Sequence, residues 1–507
     1  MSRYAWPRVR KTQVMRDDPA ARSRFSARRR TDFDPDGAQR AGRRLPERTA
    51  PQPPSGVPVV FAPATGRADL WQPLGPATVV NGQAIGTPRI AGRVTAIAVH
   101  PDGQRIYAAS GNGGVWYSND GGGRWRSLGG FAATNRPEVT RPAHRHACGA
   151  IMVDFGTTEA GDEVFVGTGE PTSVPDAQPG GSLGGIGVLV ATGPATSNAD
   201  DPWLREAPNL LGAGIHRFAA EPGGGDIVVA TTIGLFRRPA LPSPDDDWER
   251  VAGDPFDDLD AECSDVLWTA GDGARPERLW VWLQGGDDQA GLWVRDAGDT
   301  DFTKIATPGA LRSRTVLAAS TPPTQVFVFN DQGDSANAAL FRVAAAGAAT
   351  PVATPVAGVP DVLGSQGFYD IGMAVHPTSP DRVVLVGKTF DTTAPDGTAL
   401  EGDGAIVVAD VGDVAGTLTF GTPNPPAMIG VGVHADVHDV WYSNNGNRLW
   451  VGCDGGVYRS DDPTDMVGFR PCNTGLSIVE SNYVAGHPTC EGFVVTGLQD
   501  NAVITRR

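Results

Sequence analysis

The chain is poor in several features that mark large classes of protein. Of its 507 residues only five are cysteine (Cys148, Cys263, Cys453, Cys472 and Cys490), and none stands in a C-x-x-C pair. That spacing argues against a zinc ribbon or a dense disulfide framework. Buried free thiols are the expectation, with one disulfide left open if the protein leaves the cell by an unconventional route. No run of 18 or more apolar residues occurs, and the opening Met1-Ser2-Arg3-Tyr4-Ala5-Trp6-Pro7-Arg8 has no apolar stretch behind its charges. Neither a membrane span nor a secretion signal is therefore read, and the cytoplasm is the default location. Apolar residues recurring at 3.6-residue spacing are also missing over any long window, which removes the signal for amphipathic helices. Lysine appears only as Lys11, Lys304 and Lys388, a compositional habit with no function attached.

What is abundant is glycine (66) and proline (42), with many Asp and Asn between short apolar runs. Short strands joined by tight turns follow from this composition. The net charge of −16 conceals an asymmetry. Residues 1–50 hold 14 Lys+Arg against 6 Asp+Glu, a net of +8, and residues 51–507 hold 28 against 52, a net of −24. Residues 1–57, with Arg28-Arg29-Arg30 and Pro51-Gln52-Pro53-Pro54, have too little apolar surface to order themselves and read as a basic arm suited to an acidic partner. A body this acidic repels phosphates, so nucleic acid is not an expected partner of residues 58–507.

Those residues repeat one pattern eight times. A very apolar second strand recurs at 105–110, 163–169, 226–232, 278–285, 325–331, 382–388, 448–454 and 492–500. Each copy is preceded by a strand ending in a turn and followed by a third strand. In seven repeats there is a fourth strand, often opened by an aromatic residue such as Trp125, Trp203 or Trp248. The period of about 55 residues exceeds the ~40–45 of a WD40 blade. The expected fold is all-β: a single closed β-propeller of eight four-stranded blades, with seven as the alternative count. The eighth repeat lacks a fourth strand, and Leu70-Trp71-Gln72-Pro73-Leu74-Gly75-Pro76 stands as an orphan fourth strand ahead of the first. Chain ends sharing the last blade would remove the exposed edge.

Ser118-Asn119-Asp120-Gly121-Gly122-Gly123-Arg124-Trp125 closely resembles the Asp-box of the sialidase superfamily, departing at Arg124. In that motif Ser118, Asp120, Gly122 and Trp125 are expected to be structural: the carboxylate takes backbone N–H bonds, the glycines permit positive φ, and the indole anchors the next strand. Gly92-Arg93-Val94, Gln366-Gly367-Phe368-Tyr369-Asp370, His434-Ala435-Asp436-Val437-His438, Cys453-Asp454-Gly455-Gly456 and Gly497-Leu498-Gln499-Asp500-Asn501 are similar to segments of BNR-type propellers. That group is related to glycoside hydrolase family 74 (xyloglucanase-like) and to sortilin-type propellers, and it mixes enzymes, receptors and assembly factors, so it implies a fold more than a chemistry.

Family 74 enzymes place a base Asp in a Tyr-Ala-Arg-Thr-Asp-x-Gly-Gly-type turn, and Gly111 occupies that place in Tyr107-Ala108-Ala109-Ser110-Gly111-Asn112-Gly113-Gly114. A hydrolase would have to draw on Asp370, Asp436, Asp439, Asp454 and Asp500. Phe236-Arg237-Arg238-Pro239 is similar to the sialidase Phe-Arg-Ile-Pro motif but falls in an ordinary third-strand slot. His434, Asp436 and His438 alternate, so on a strand they would share one face and could hold a divalent metal; mutual satisfaction in a polar channel is the plainer reading, and no cofactor is expected. The long connections (78–91, 130–147, 170–185, 389–404 and 424–434) share one face of a propeller. Binding is expected there, to a protein or a glycan, through Arg93, Tyr369, Asp370, His434, Asp436, His438 and Gln499.

Overall fold

The computed structural model describes residues 78–80, 82–128, 146–171, 183–197, 202–256, 261–271, 276–285, 288–307, 313–320, 322, 325–332, 338–344, 351–389, 403–487, 489–499, 501 and 503–506. The orphan strand 70–76, the basic arm, Asp500 and most of the loops 130–145, 172–182 and 390–402 lie outside these residues.

Eight antiparallel sheets follow one another along the chain, each a meander in sequence order. Among the described residues there is no α-helix, only two short 3₁₀ turns. The inner strands are Val94–Val99, Cys148–Asp154, Ile215–Ala220, Cys263–Thr269, Thr315–Ala319, Gly372–Val375, Val437–Tyr442 and Ser481–His487. The second strands are buried along nearly their whole length, as in Ile106–Ser110, Arg278–Leu283 and Leu449–Cys453, because each sheet is covered on both faces by its neighbours. This is why those segments read as unbroken apolar runs without alternation. The protein is an all-β propeller.

The seams show how the ring closes. Apolar cores lie between the first and second sheets (Tyr107, Ile151, Val166), the second and third (Phe165, Ile215, Trp248), and so on around to the sixth and seventh (Val386, Ile406, Val451). A further core then joins the seventh sheet to the first, packing Trp450, Val457 and Leu476 against Val94, Ile97 and Trp125. Of the eight sheets, seven therefore form a closed circuit, the alternative count. The eighth has three described strands and stands outside that circuit. It meets the rest through a small cluster of Leu498, Val79 and Ile90, and its inner strand is exposed throughout, with Tyr483 74% exposed.

The seam between seventh and first sheets carries polar stitching as well. Asp439 Oδ2 accepts the Ile97 backbone N–H at 2.8 Å while Oδ1 accepts that of Val440 at 2.9 Å. Asp265 repeats the arrangement between the fourth and fifth sheets, accepting Val266 N–H and Leu317 N–H, each at 2.7 Å. The turn at Ser118–Trp125 adds to the seam between the seventh and first sheets: Asp120 Oδ1 accepts Ser118 Oγ–H (2.8 Å) and Arg124 N–H (2.9 Å), Ser118 Oγ accepts Gly122 N–H (2.9 Å), and Trp125 donates to the Cys472 and Thr474 carbonyls. Gly122, at φ +86, supplies the backbone geometry that a side chain would strain. Ser460 and Asp462 make a similar turn in the seventh sheet, where Ser460 Oγ accepts Asp462 N–H and Asp462 Oδ1 accepts Thr464 N–H, each at 3.1 Å.

Removing the Asp439 carboxylate leaves the Ile97 and Val440 amides without their partner in the channel wall. Asp439→Ala is expected to cost about 3 kcal/mol in urea unfolding, whereas Glu249→Ala, which removes an exposed ion pair with Arg237, costs under about 1 kcal/mol. Equal losses in the two variants would show that the closing seam does not depend on this carboxylate.

Candidate functional site on the long-loop face

In a propeller meander each inner strand begins, and each second strand ends, on the same face, so the residues at those positions come together whatever their separation in sequence. Arg93 precedes the first inner strand, Glu170 ends the second strand of the second sheet, Tyr369 and Asp370 precede the sixth inner strand, Asp454 follows the second strand of the seventh sheet, and Glu480 precedes the eighth sheet. Five segments thus deliver these side chains to one polar cluster.

Arg93 is the hub. Its Nη1 donates to Tyr369 Oη at 2.8 Å, and its Nη2 donates to Glu170 Oε2 at 2.9 Å and approaches Glu480 Oε1 at 3.1 Å. Tyr369 Oη–H donates a hydrogen bond to Asp454, lying 2.9 and 2.8 Å from the two carboxylate oxygens. His438 Nε2 lies 2.7 Å from Asp454 Oδ1, its ring edge-on to Tyr369 with centroids 4.8 Å apart. Arg314 ties the backbone of the same segment, donating to the Tyr369 carbonyl at 2.6 Å. A second, smaller group adjoins: Gln366 Nε2 lies 3.4 Å from both Asp370 Oδ2 and Asp436 Oδ1.

Burial sets the protonation states. Glu170 has its carboxyl pushed up to about 8 by desolvation, which the Arg93 charge only partly offsets and which Glu480 and Asp454 reinforce. Asp370, wholly buried, is held well above the ordinary carboxyl range by desolvation and by the neighbouring Asp436. His438 is pushed down to about 3, by burial first and by Arg93 next; its Nε2 faces Asp454 Oδ1 and its Nδ1 lies 3.3 Å from the Tyr369 carbonyl. Burial alone would lower Arg93, but Glu170, Tyr369, Glu480 and Asp454 more than reverse it and keep the guanidinium charged. Glu170 Oε1 and Asp370 Oδ1 are buried without a hydrogen-bond partner among the described residues.

Arg93, Tyr369, Asp454 and His438 are thus brought together, with Asp370 and Asp436 beside them. His434 departs from the expectation. Asp436 adopts a left-handed φ of +62 and the pairing slips between Val437 and Asp439, so 434–438 is not a continuous strand and its alternation does not hold. His434 Nδ1 instead turns to the Ala435 carbonyl at 3.0 Å, and no group of three metal-ligating side chains forms among the described residues. Asp439 faces the channel and holds the Ile97 amide, Gln499 is exposed and accepts from Asn482, and Arg238 pairs in bidentate fashion with Glu206. Cys148, Cys263, Cys453 and Cys472 are buried free thiols. Glu170, Glu480 and Arg314 were not read from the sequence. The signal was a charged residue at the end of an apolar second strand or just ahead of an inner one.

No protein-family model matches the chain, and no curated protein does. Among solved structures it is similar to the family 74 xyloglucanase from Xanthomonas campestris (TM-score 0.53, 15% identity, 84% of this chain and 60% of that one). It is similar also to the family 74 enzyme from Niastella koreensis (TM-score 0.51, 13% identity, with the same coverages). This chain spans about 60% of the length of those structures, and at such identities the likeness is one of fold: a β-propeller with family 74 enzymes as structural neighbours.

Glu170 supplies a pH test. Its folded value of about 8 exceeds its ordinary 4.5, so the folded state binds the extra proton and this group's contribution is complete below 4.5 and lost as pH rises to 8. The stability of the wild type minus that of Glu170→Gln is expected to fall steadily over that window in urea titrations at several pH values. A difference that stays constant would mean Glu170 titrates normally.

Proposed function

We propose that the protein is a non-catalytic binding propeller that recognises a protein or a glycan on its long-loop face, with the basic arm of residues 1–57 docking it to an acidic partner. The observation that carries this reading is at Gly111, the place of the base in the family 74 pattern. A Cβ there would lie 2.4 Å from Arg93 Nε, so the space a catalytic carboxylate would need is filled by the hub of the rim cluster. Asp454, the other natural candidate, is enclosed by Tyr369 and His438 and is itself buried. Of the remaining carboxylates, Asp439 is spent on backbone amides.

The Ser118–Trp125 turn supports kinship with BNR/Asp-box propellers, since its hydrogen bonds are those the motif's residue types predict. A glycoside hydrolase remains the second reading, favoured by one observation: burial pushes the Glu170 carboxyl up to about 8 and raises that of Asp370 well above the ordinary carboxyl range, the direction a general acid requires.

Polysaccharide cleavage assays on the full chain, with Asp370→Asn and Asp454→Asn alongside, separate the two. The expected outcome is no cleavage by any of the three, together with retention of partners or glycans that is reduced when Arg93 is replaced by Met. Cleavage by the wild type that either Asn variant abolishes would replace the binding reading with the hydrolytic one. Pull-downs with and without residues 1–57 test the arm: loss of acidic partners on trimming is expected, and an unchanged partner set would remove its docking role.

A further inference from the structure

Residues directly opposite one another in an antiparallel ladder share a face, and in the eighth sheet this sorts the side chains into two sets. Tyr483, Gly497 and Val503 form one row across the three strands, and Ala485, Val495 and Thr505 form the next row on the same side. The other side carries Thr496, Leu498 and Ile504, and there Leu498 and Ile504 pack with Val79 and Ile90. The first side contributes nothing to that cluster, and on it Tyr483 and Val503 are 74% and 65% exposed. Neither of its two rows holds a charged side chain.

The middle strand of this sheet has the composition of a strand meant to be covered. Phe493, Val494 and Val495 are apolar at successive positions, as in the second strands of the seven-sheet circuit, where a neighbouring sheet lies on each face. Here they are only half-buried. The seven sheets of the circuit already cover one another, so the sheet of like build that is free to lie on this face is the eighth sheet of a second copy. The relief of the face suits that occupant. Gly497 stands between Tyr483 and Val503, and a Cβ built on it would meet nothing within 4 Å, so a hollow lies beside an exposed ring. A two-fold axis running along the strands, between 481–487 and 490–498, sets the Tyr483 ring of each copy over the Gly497 hollow of the other, the reciprocal contact of an isologous interface. Charge permits the approach. Residues 479–507 hold Arg506 and Arg507 against Glu480, Glu491 and Asp500, a net of −1 out of the −24 carried by residues 51–507, so two acidic bodies meeting here bring little like charge together.

We infer that the uncovered face of the eighth sheet is a self-association surface, on which a second copy of this chain packs face to face with Tyr483 of each seated on Gly497 of the other. Three strands by about six residues give a footprint of about 300 Å² per copy, short of the ~800 Å² per partner of stable complexes. The dimer is therefore weak, and it forms where the protein is concentrated.

The test is sedimentation velocity on the full chain from about 5 to about 500 µM, where dimers at the upper end and a Kd on the order of 100 µM are expected. Tyr483→Ala removes the ring and should weaken association about tenfold or more, as loss of an aromatic anchor does. Gly497→Tyr fills the hollow, so two such copies set ring against ring and should also fail to pair. An equimolar mixture of the two variants matches every ring with an open position, and heterodimers should form with much of the wild-type affinity regained. Thermal unfolding curves show whether each variant is folded, and if Gly497→Tyr is not, Tyr483→Ala decides alone. The proposal is overturned if the wild type stays monomeric across that range, if Tyr483→Ala associates like the wild type, or if the two folded variants fail to pair on mixing.

Discussion

The structure depends on a carboxylate, Asp439, holding the amide of a residue 342 positions away. A meander of sheets has no intrinsic reason to close: each sheet packs on the one before it, and the last would leave an apolar face in water. The Asp439–Ile97 bond and the core of Trp450, Val457, Val94 and Trp125 turn that open stack into a circuit. With closure, the second strands of the seven sheets in the circuit are covered on both faces and their inner strands enclose a channel instead of a groove. The convergence of Arg93, Tyr369 and Asp454, which belong to the first, sixth and seventh sheets, is a consequence of the same seam.

Much of this architecture is legible in the sequence because strand burial leaves a direct mark. A strand covered on both faces must be apolar at successive positions, so 278–285 and 382–388 stand out against their glycine- and aspartate-rich surroundings. The seam that closes the ring leaves no such mark. Whether the seventh or the eighth sheet returns to the first depends on which apolar faces and which carboxylate meet across the seam, and an aspartate at the third position of a strand looks the same in either case.

The rim cluster is legible in part for a similar reason. Arg93, Tyr369, Asp454 and His438 sit in segments whose glycine and aspartate content sets them apart, whereas Glu170 is the last residue of an apolar strand and reads as its boundary. Periodicity misled at 434–438, where alternation presupposes a continuous extended backbone that the left-handed Asp436 interrupts. Chemistry was harder to read than placement, since the same buried carboxyl can anchor a guanidinium, donate a proton or merely fill a polar gap, and only its neighbours distinguish these.

The eighth sheet lies beyond the closed circuit, and among the described residues it is tied to the rest by the small apolar cluster of Leu498, Val79 and Ile90. Two tiers of resistance to opening therefore coexist in one chain: a ring whose sheets lose cover on both sides if any one departs, and an appended meander whose fraying uncovers only the small cluster around Val79 and Ile90. Because Glu480, at the root of that meander, also touches Arg93, local fraying there would be felt at the rim as the loss of one counter-charge.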